Sequence, residues 1–266
     1  MFEFMGLYEE FWAPVFFIYG ALLGSFANVI IYRLPLGESI VKPRSHCRTC
    51  KNMVAWYDNI PIASFLLLRG KCRHCQEKFS WRYPLVEFLM GLVFCALYLH
   101  LGWSFFLFEA LIFCFGLITV SFIDLDHMIL PDVFTLSGIV IGLLGAAINP
   151  DRSVVEALIG VLAGGGFLWA VSAIYFMLRK QEGMGGGDIK LLAWIGAVLG
   201  WQSVPFVILS SSLFGTLVGL IVMSRTKGGM QTAIPFGPYL ALGALFFIFG
   251  GSELARAYIA LFLPLN

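Results

Sequence analysis

Charge is what this chain has least of. Its 266 residues include only 17 Lys and Arg and 16 Asp and Glu, 12% in all. A soluble domain carries roughly 25% charged residues, so an ordinary soluble globular class is excluded. Of the whole chain 59% is hydrophobic, with 26 Phe, and runs of about 17–25 apolar residues are expected to cross a membrane. Other absences narrow the reading. The first apolar run has neither a basic flank before it nor a small-residue cleavage site after it, so it is expected to stay as a membrane helix. No G-x-G-x-x-G follows a strand pattern, so no Rossmann-type nucleotide site is visible. The net charge of +1 gives no global field, and no nucleic-acid partner is expected.

What is present divides into apolar spans and one hydrophilic segment. The spans fall at about 11–31, 84–101, 105–123, 133–148, 154–178, 189–202, 204–224 and 237–250. The expected fold is therefore an all-α polytopic membrane protein of about eight transmembrane helices. Beyond Gly250-Gly251, Ser252 is placed to cap a short surface helix whose Leu254, Tyr258 and Leu261 share one face. The domain reading is residues 1–31 as the first membrane helix, 32–83 as a small cytoplasmic domain, and 84–266 as a helical membrane domain.

Residues 32–83 hold ten of the seventeen basic residues and the pattern Cys47-x2-Cys50-x21-Cys72-x2-Cys75. Two CxxC pairs at this spacing predict a four-thiolate zinc site, each pair forming a knuckle and the two closing a tetrahedron. A basic loop faces the reducing cytoplasm, which argues against two disulfides. The zinc would be structural, supplying folding energy to a segment with little core of its own. His46 and His74 flank the cysteines, but four thiolates already complete the shell.

Basic residues also fix the expected orientation. With 32–83 cytoplasmic and eight alternating helices, Arg179, Lys180, Arg225, Lys227 and Lys190 join the same side, leaving only Arg152 and Arg256 opposite. That count puts two acids at the cytoplasmic edge of apolar runs: Asp124 in Phe122-Ile123-Asp124-Leu125-Asp126-His127, and Asp188 after Gly183-Met184-Gly185-Gly186-Gly187. Ionisable groups at such positions are costly and point to function. Innocent roles exist: Asp188 and Asp132 each precede a helix and could be N-caps, and Asp126 could be a solvated rival of Asp124. Capping does not explain four glycines among residues 183–187, which let backbone approach a substrate closely. Glu87 is another costly charge inside a span, expected to bond to a neighbouring helix. In Gly24-Ser25-Phe26-Ala27-Asn28, small and polar residues serve either helix packing or ligand contact.

Together these residues resemble the type IV prepilin peptidases of bacteria, a leader peptidase and N-methyltransferase family of GxGD intramembrane aspartyl proteases. The resemblance rests on Gly24-Ser25-Phe26-x-Asn28-Val29-x-x-x-Arg33-Leu34-Pro35, the two CxxC pairs, Arg82-Tyr83-Pro84-x-x-Glu87 and Ile123-Asp124-x-Asp126-His127. It continues through Leu130-Pro131-Asp132, Gly183-Met184-Gly185-x-Gly187-Asp188-x-Lys190 and Ile234-Pro235-Phe236-Gly237-Pro238, and so covers nearly the whole chain. Arg48 departs from it, standing where the family usually has proline. The resemblance implies cleavage of the basic leader from type IV prepilins or type II secretion pseudopilins at the cytoplasmic face of the inner membrane. N-methylation of the new terminus from S-adenosylmethionine would follow. It implies Asp124 and Asp188 as the catalytic pair, Gly185 and Gly187 as the loop supporting an acid, and Cys47, Cys50, Cys72 and Cys75 as zinc ligands. Gly24, Asn28, Arg33 and Glu87 are its methyltransferase candidates.

Two readings of other kinds compete with this one. A transporter would use the intramembrane acids for ion or proton coupling, but no repeat between its halves is apparent. A zinc-stabilised scaffold without chemistry would tolerate Asp188→Asn, whereas a protease would not.

Overall fold

In the computed structural model the described residues are 2–181, 184–225, 234–251 and 253–254, with side chains described from Phe11 onward except at 223 and 225. Among them there is helix, turn and coil but no strand. Only the isolated bridges His46↔Met53 and Lys71↔Lys78 have β pairing. Among the described residues nine α-helices run in order: α1 Phe2–Arg33, α2 Ala63–Leu67, α3 Arg82–Leu101, α4 Phe105–His127, α5 Asp132–Ile148, α6 Val154–Arg179, α7 Gly186–Leu199, α8 Ser203–Arg225 and α9 Gly237–Phe246. A single π turn, Phe247–Gly251, continues the last.

Among the described residues five segments are long and apolar enough to cross a bilayer: Phe11–Leu36, Arg82–Leu101, Phe105–His127, Val154–Arg179 and Ser203–Val222. The chain is therefore an all-α polytopic membrane protein. Each of the other three expected spans also falls on a helix, but a shorter one. α5 has 17 residues, α7 has 14 and α9 has 10. At 1.5 Å per residue α7 reaches only about 21 Å, short of a hydrocarbon core of roughly 30 Å. Apart from Glu253 and Leu254, the surface helix expected beyond Ser252 lies outside the described residues.

The chain forms two compact units, residues 1–119 and 120–266. In the first, α1 and α3 pack along a seam of small residues. A Cβ at Gly20 would sit 2.6 Å from the Met90 carbonyl, and one at Gly24 would sit 2.7 Å from Glu87 Cα. Only hydrogen fits there, which brings the two backbones together as apolar membrane helices require. At the far end of this pair Trp12, Phe16, Tyr98 and Trp103 form an aromatic cluster, Phe16 stacking on Tyr98 at 4.6 Å. The polar segment between α1 and α3 carries the cysteines.

In the second unit α7 is held between α5 and α6. Gly160 and Gly196 meet backbone to backbone: a Cβ on either would fall 2.0 or 2.1 Å from the other's carbonyl oxygen. On the α5 side, the Trp194 indole occupies the space above Gly138. Leu191, Leu192, Ile195 and Ala197 are fully buried, so α7 is the core of this unit although it is the most modest in length after α9. By contrast α6 and α8 turn Leu158, Leu162, Trp169, Leu209, Leu213 and Leu220 outward, a surface suited to lipid tails. Fixing α7 on both sides fixes the place of its first turn, which carries Asp188.

Candidate active site

The four cysteines come together as their spacing predicts. Their sulfur atoms all lie within 4.8 Å of one another, with Cys47 Sγ to Cys75 Sγ at 3.7 Å and Cys50 Sγ to Cys72 Sγ at 3.9 Å. A tetrahedral site with metal–sulfur bonds of about 2.3 Å has sulfurs about 3.8 Å apart, so the cluster has the size a zinc ion needs. The two knuckles are built alike. The N–H of Lys51 donates to the Cys47 carbonyl at 2.9 Å, and the N–H of Gln76 donates to the Cys72 carbonyl at 3.0 Å. Both Lys51 and Gln76 adopt φ 59, turning the chain out of the knuckle in the same way. The backbone N–H of Cys50 pulls the Cys47 thiol down to about 6, the direction a thiolate ligand needs. His46 turns its Nδ1 to the Arg44 carbonyl at 3.1 Å.

Arg48, the departure from the family pattern, ties the first knuckle to the helix pair. Its guanidinium lies 3.6 Å over the Tyr32 ring and donates to the Tyr83 hydroxyl at 2.8 Å. The residues expected near a methyl donor are also interlocked. Asn28 Nδ2 donates to the Tyr83 carbonyl at 3.0 Å, and Arg33 Nη1 donates to the carbonyls of Ser39 and Pro43. The Glu87 carboxylate accepts the Ile62 N–H at 2.7 Å and a bond from Ser25. Glu87 thus meets both the neighbouring helix and the polar segment. Ile62 is β-branched at φ 63, a conformation that costs about 1–3 kcal/mol and persists only where something holds it. No sequence signal marks Ile62, because its contact is made 25 residues away.

In the second unit a cavity of about 370 Å³ is lined by Asp124, Met128, Ile129, Leu130, Asp132, Gly185, Gly186, Gly187, Asp188 and Lys190. Asp124 is in the last turn of α4, 5% exposed. Just beyond α4, Met128 takes φ 53, which reverses the chain so that Ile129 and Leu130 wall the cavity. Asp188 enters from the other side. It is the third residue of α7, whose N-cap is Gly185. Capping by Asp188 itself is therefore corrected: the glycines let the helix begin earlier and leave the carboxylate in its first turn. Asp132 is likewise no cap. Pro131 holds that place in α5, and the Asp132 carboxylate accepts from Lys190 Nζ at 2.6 Å. Gly187 packs on Leu130, where a Cβ would come within 2.8 Å of the Leu130 Cβ. The two acids are near enough for their charges to interact. Asp124 has one further partner that sequence reading did not supply, the N–H of Gly237 at 2.9 Å from its Oδ2. The signal was present in Ile234-Pro235-Phe236-Gly237-Pro238, but not its target.

Two acids facing one cavity in an all-α membrane protein, with a separate four-thiol cluster in the polar segment, define a narrow class. Residues 18–101 match the bacterial peptidase A24 N-terminal domain, and residues 111–220 match the type IV leader peptidase family. The chain is 38% identical to a prepilin leader peptidase/N-methyltransferase of Aeromonas hydrophila, with 93% of each chain covered. It is 38% identical to the protein of that name from Neisseria gonorrhoeae, over 95% of this chain and 96% of the relative. With the one from Legionella pneumophila it shares 35% identity over the same shares. The chain belongs to the type IV leader peptidase family. The transporter reading finds no support in these likenesses. No solved structure matches this chain.

Proposed function

We propose that this enzyme removes the leader peptide from type IV prepilins or pseudopilins and N-methylates the terminus so exposed. One observation carries the peptidase half: Asp124 and Asp188, from helices more than sixty residues apart in sequence, line one water-accessible cavity. Asp124 and Asp188 act as a pair that titrates together, since two adjacent carboxylates do not both ionise readily. The ionised member takes a proton from water, whose oxygen attacks the scissile carbonyl carbon. The protonated member donates a hydrogen bond to the carbonyl oxygen and so supports the tetrahedral intermediate. Collapse breaks the C–N bond, and the leaving amine takes its proton from the pair. Gly185 and Gly187 keep the wall beside Asp188 free of side chains, giving an extended peptide room to lie against backbone.

For the second activity the donor is S-adenosylmethionine, which supplies the methyl group to the new amine. Asn28 Nδ2, Arg33 Nη1 and Glu87 Oε2 are each engaged within the chain, so in this reading these residues frame the polar segment against α1 and α3. Zinc is the metal that fits Cys47, Cys50, Cys72 and Cys75, where it holds that segment folded. The basic residues favour a cytoplasmic location for the cysteine segment and both acids, in a bacterial inner membrane. Purified enzyme is to be incubated with a prepilin, with and without methyl donor, and the product masses read. Loss of the leader without donor, and a gain of one methyl on the shortened pilin with it, is the expected result. An intact prepilin in both arms rules the proposal out. Asp188→Ala should stop cleavage and still methylate an already shortened pilin.

A further inference from the structure

Asp124 occupies an awkward place for one of two acids that share a negative charge. It lies in the last turn of α4, where the carbonyl end of a helix disfavours an anion. Its Oδ2 is met there by the N–H of Gly237, the first residue of α9, at 2.9 Å in a buried bond. That N–H belongs to the amino end of a helix, where donors have no partner inside the helix. Pro238 follows it and has no N–H of its own, so Gly237 is the donor at that edge. A hydrogen bond to a carboxylate is stronger than one between neutral groups and offsets the opposing helix end. With Oδ2 held, Oδ1 is the oxygen left for the cavity.

The same contact accounts for glycine at this position. A Cβ at Gly237 would lie 2.7 Å from Asp124 Oδ2 and 3.0 Å from Leu130 Cδ2. Any side chain would therefore move the carboxylate, the cavity wall, or both. We propose that Gly237 is a positioning residue for cleavage: its N–H and its missing side chain together set the orientation of the Asp124 carboxylate in the cavity. The inference rests on Asp124 being one of the two acids that cut.

Gly237→Ala in the full-length enzyme tests it. The alanine leaves the N–H but crowds Oδ2, and a displacement near 1 Å at a reacting group costs on the order of 100-fold in rate. The expected result is a fall of that size in kcat for prepilin cleavage, with KM unchanged and methylation of an already shortened pilin retained. Gly237→Ala with Leu130→Ala, compared with Leu130→Ala alone, separates the two contacts. Removing the Leu130 side chain relieves only the wall, so the kcat defect should persist in the pair. Full recovery in the pair would assign the defect to Leu130 and overturn the proposal. So would wild-type kcat in Gly237→Ala, or a defect confined to KM. Asp124→Asn is run beside them. If it still cleaves, the reading of the site has failed; if it is inactive while Gly237→Ala is normal, only the present inference has.

Discussion

Replacing Gly160 with alanine tests whether the acid on α7 depends on how closely α6 approaches it. A Cβ at Gly160 would lie 2.0 Å from the Gly196 carbonyl oxygen and 2.6 Å from the Gly196 carbonyl carbon. Both are backbone atoms and no rotamer change can clear them. Restoring ordinary contact near 3.5 Å requires the two helices to part by roughly 1.5 Å at that point. Overpacking of this kind costs about 1–3 kcal/mol, against about 1 kcal/mol gained when alanine replaces glycine within a helix. Asp188 lies about 12 Å along α7 from Gly196, so a rigid shift or tilt of the helix reaches it. A misplacement near 1 Å would lower cleavage on the order of 100-fold. Gly166→Ala is the matched control, on the same helix with nothing within 4 Å of the added carbon. It collects the propensity gain without the clash. Thermal midpoints in detergent and prepilin cleavage in membranes, normalised to inserted protein, should place Gly160→Ala below wild type and Gly166→Ala at or above it. Matching stability and cleavage in the two variants would refute the claim that this backbone contact positions α7.

Asp124→Asn and Asp188→Asn should each bring cleavage near background, a loss of about 10²–10⁴-fold or more, and the double variant should be hardly worse because the pair acts as a unit. Asp126→Asn and Asp132→Asn should keep most cleavage in the same membrane assay, the Asp132–Lys190 pair being half-exposed and worth at most about 1 kcal/mol. Cys72→Ser should abolish stoichiometric zinc in metal analysis of the purified protein; full occupancy would contradict a four-thiolate shell. Asp58 is held below its usual 3.8 chiefly by hydrogen bonds from Arg73. Its contribution to the stability of the polar segment is therefore full above that value and lost as pH falls through the lower folded one. Asp58→Asn should remove that acid-side fall from an unfolding titration of the segment.

The cysteine cluster was legible because its chemistry is local: two CxxC units fix two knuckles before the rest of the chain is considered. The motifs that carry Asp124 and Asp188 pick out two acids that line one cavity. Their partners were not legible. The Gly237–Asp124 bond joins residues 113 apart, and the Glu87–Ile62 bond depends on a backbone angle that isoleucine seldom adopts. The innocent alternative of N-capping by Asp188 or Asp132 is excluded only by the structure, where Gly185 and Pro131 hold those places. Length was the other obscured quantity. Apolar runs at 189–202 and 237–250 read as spans, yet α7 is short because it is buried among helices rather than exposed to lipid along its length.

The pairing of the sulfurs has a topological consequence. Cys47 sits 3.7 Å from Cys75 and Cys50 3.9 Å from Cys72, so the polypeptide between them is drawn into a closed ring once a cation joins the four. Trp56, Tyr57 and Leu67 stand exposed on that ring. A protease that nicks the chain there would produce two fragments that still migrate together, anchored through sulfur rather than through the cut backbone. With the ion removed by a chelator, the packing of α1 against α3 would still hold them together. The segment is thus fastened at its base, while Asp58 and Ile62 on the ring tie it to Arg73 and to Glu87.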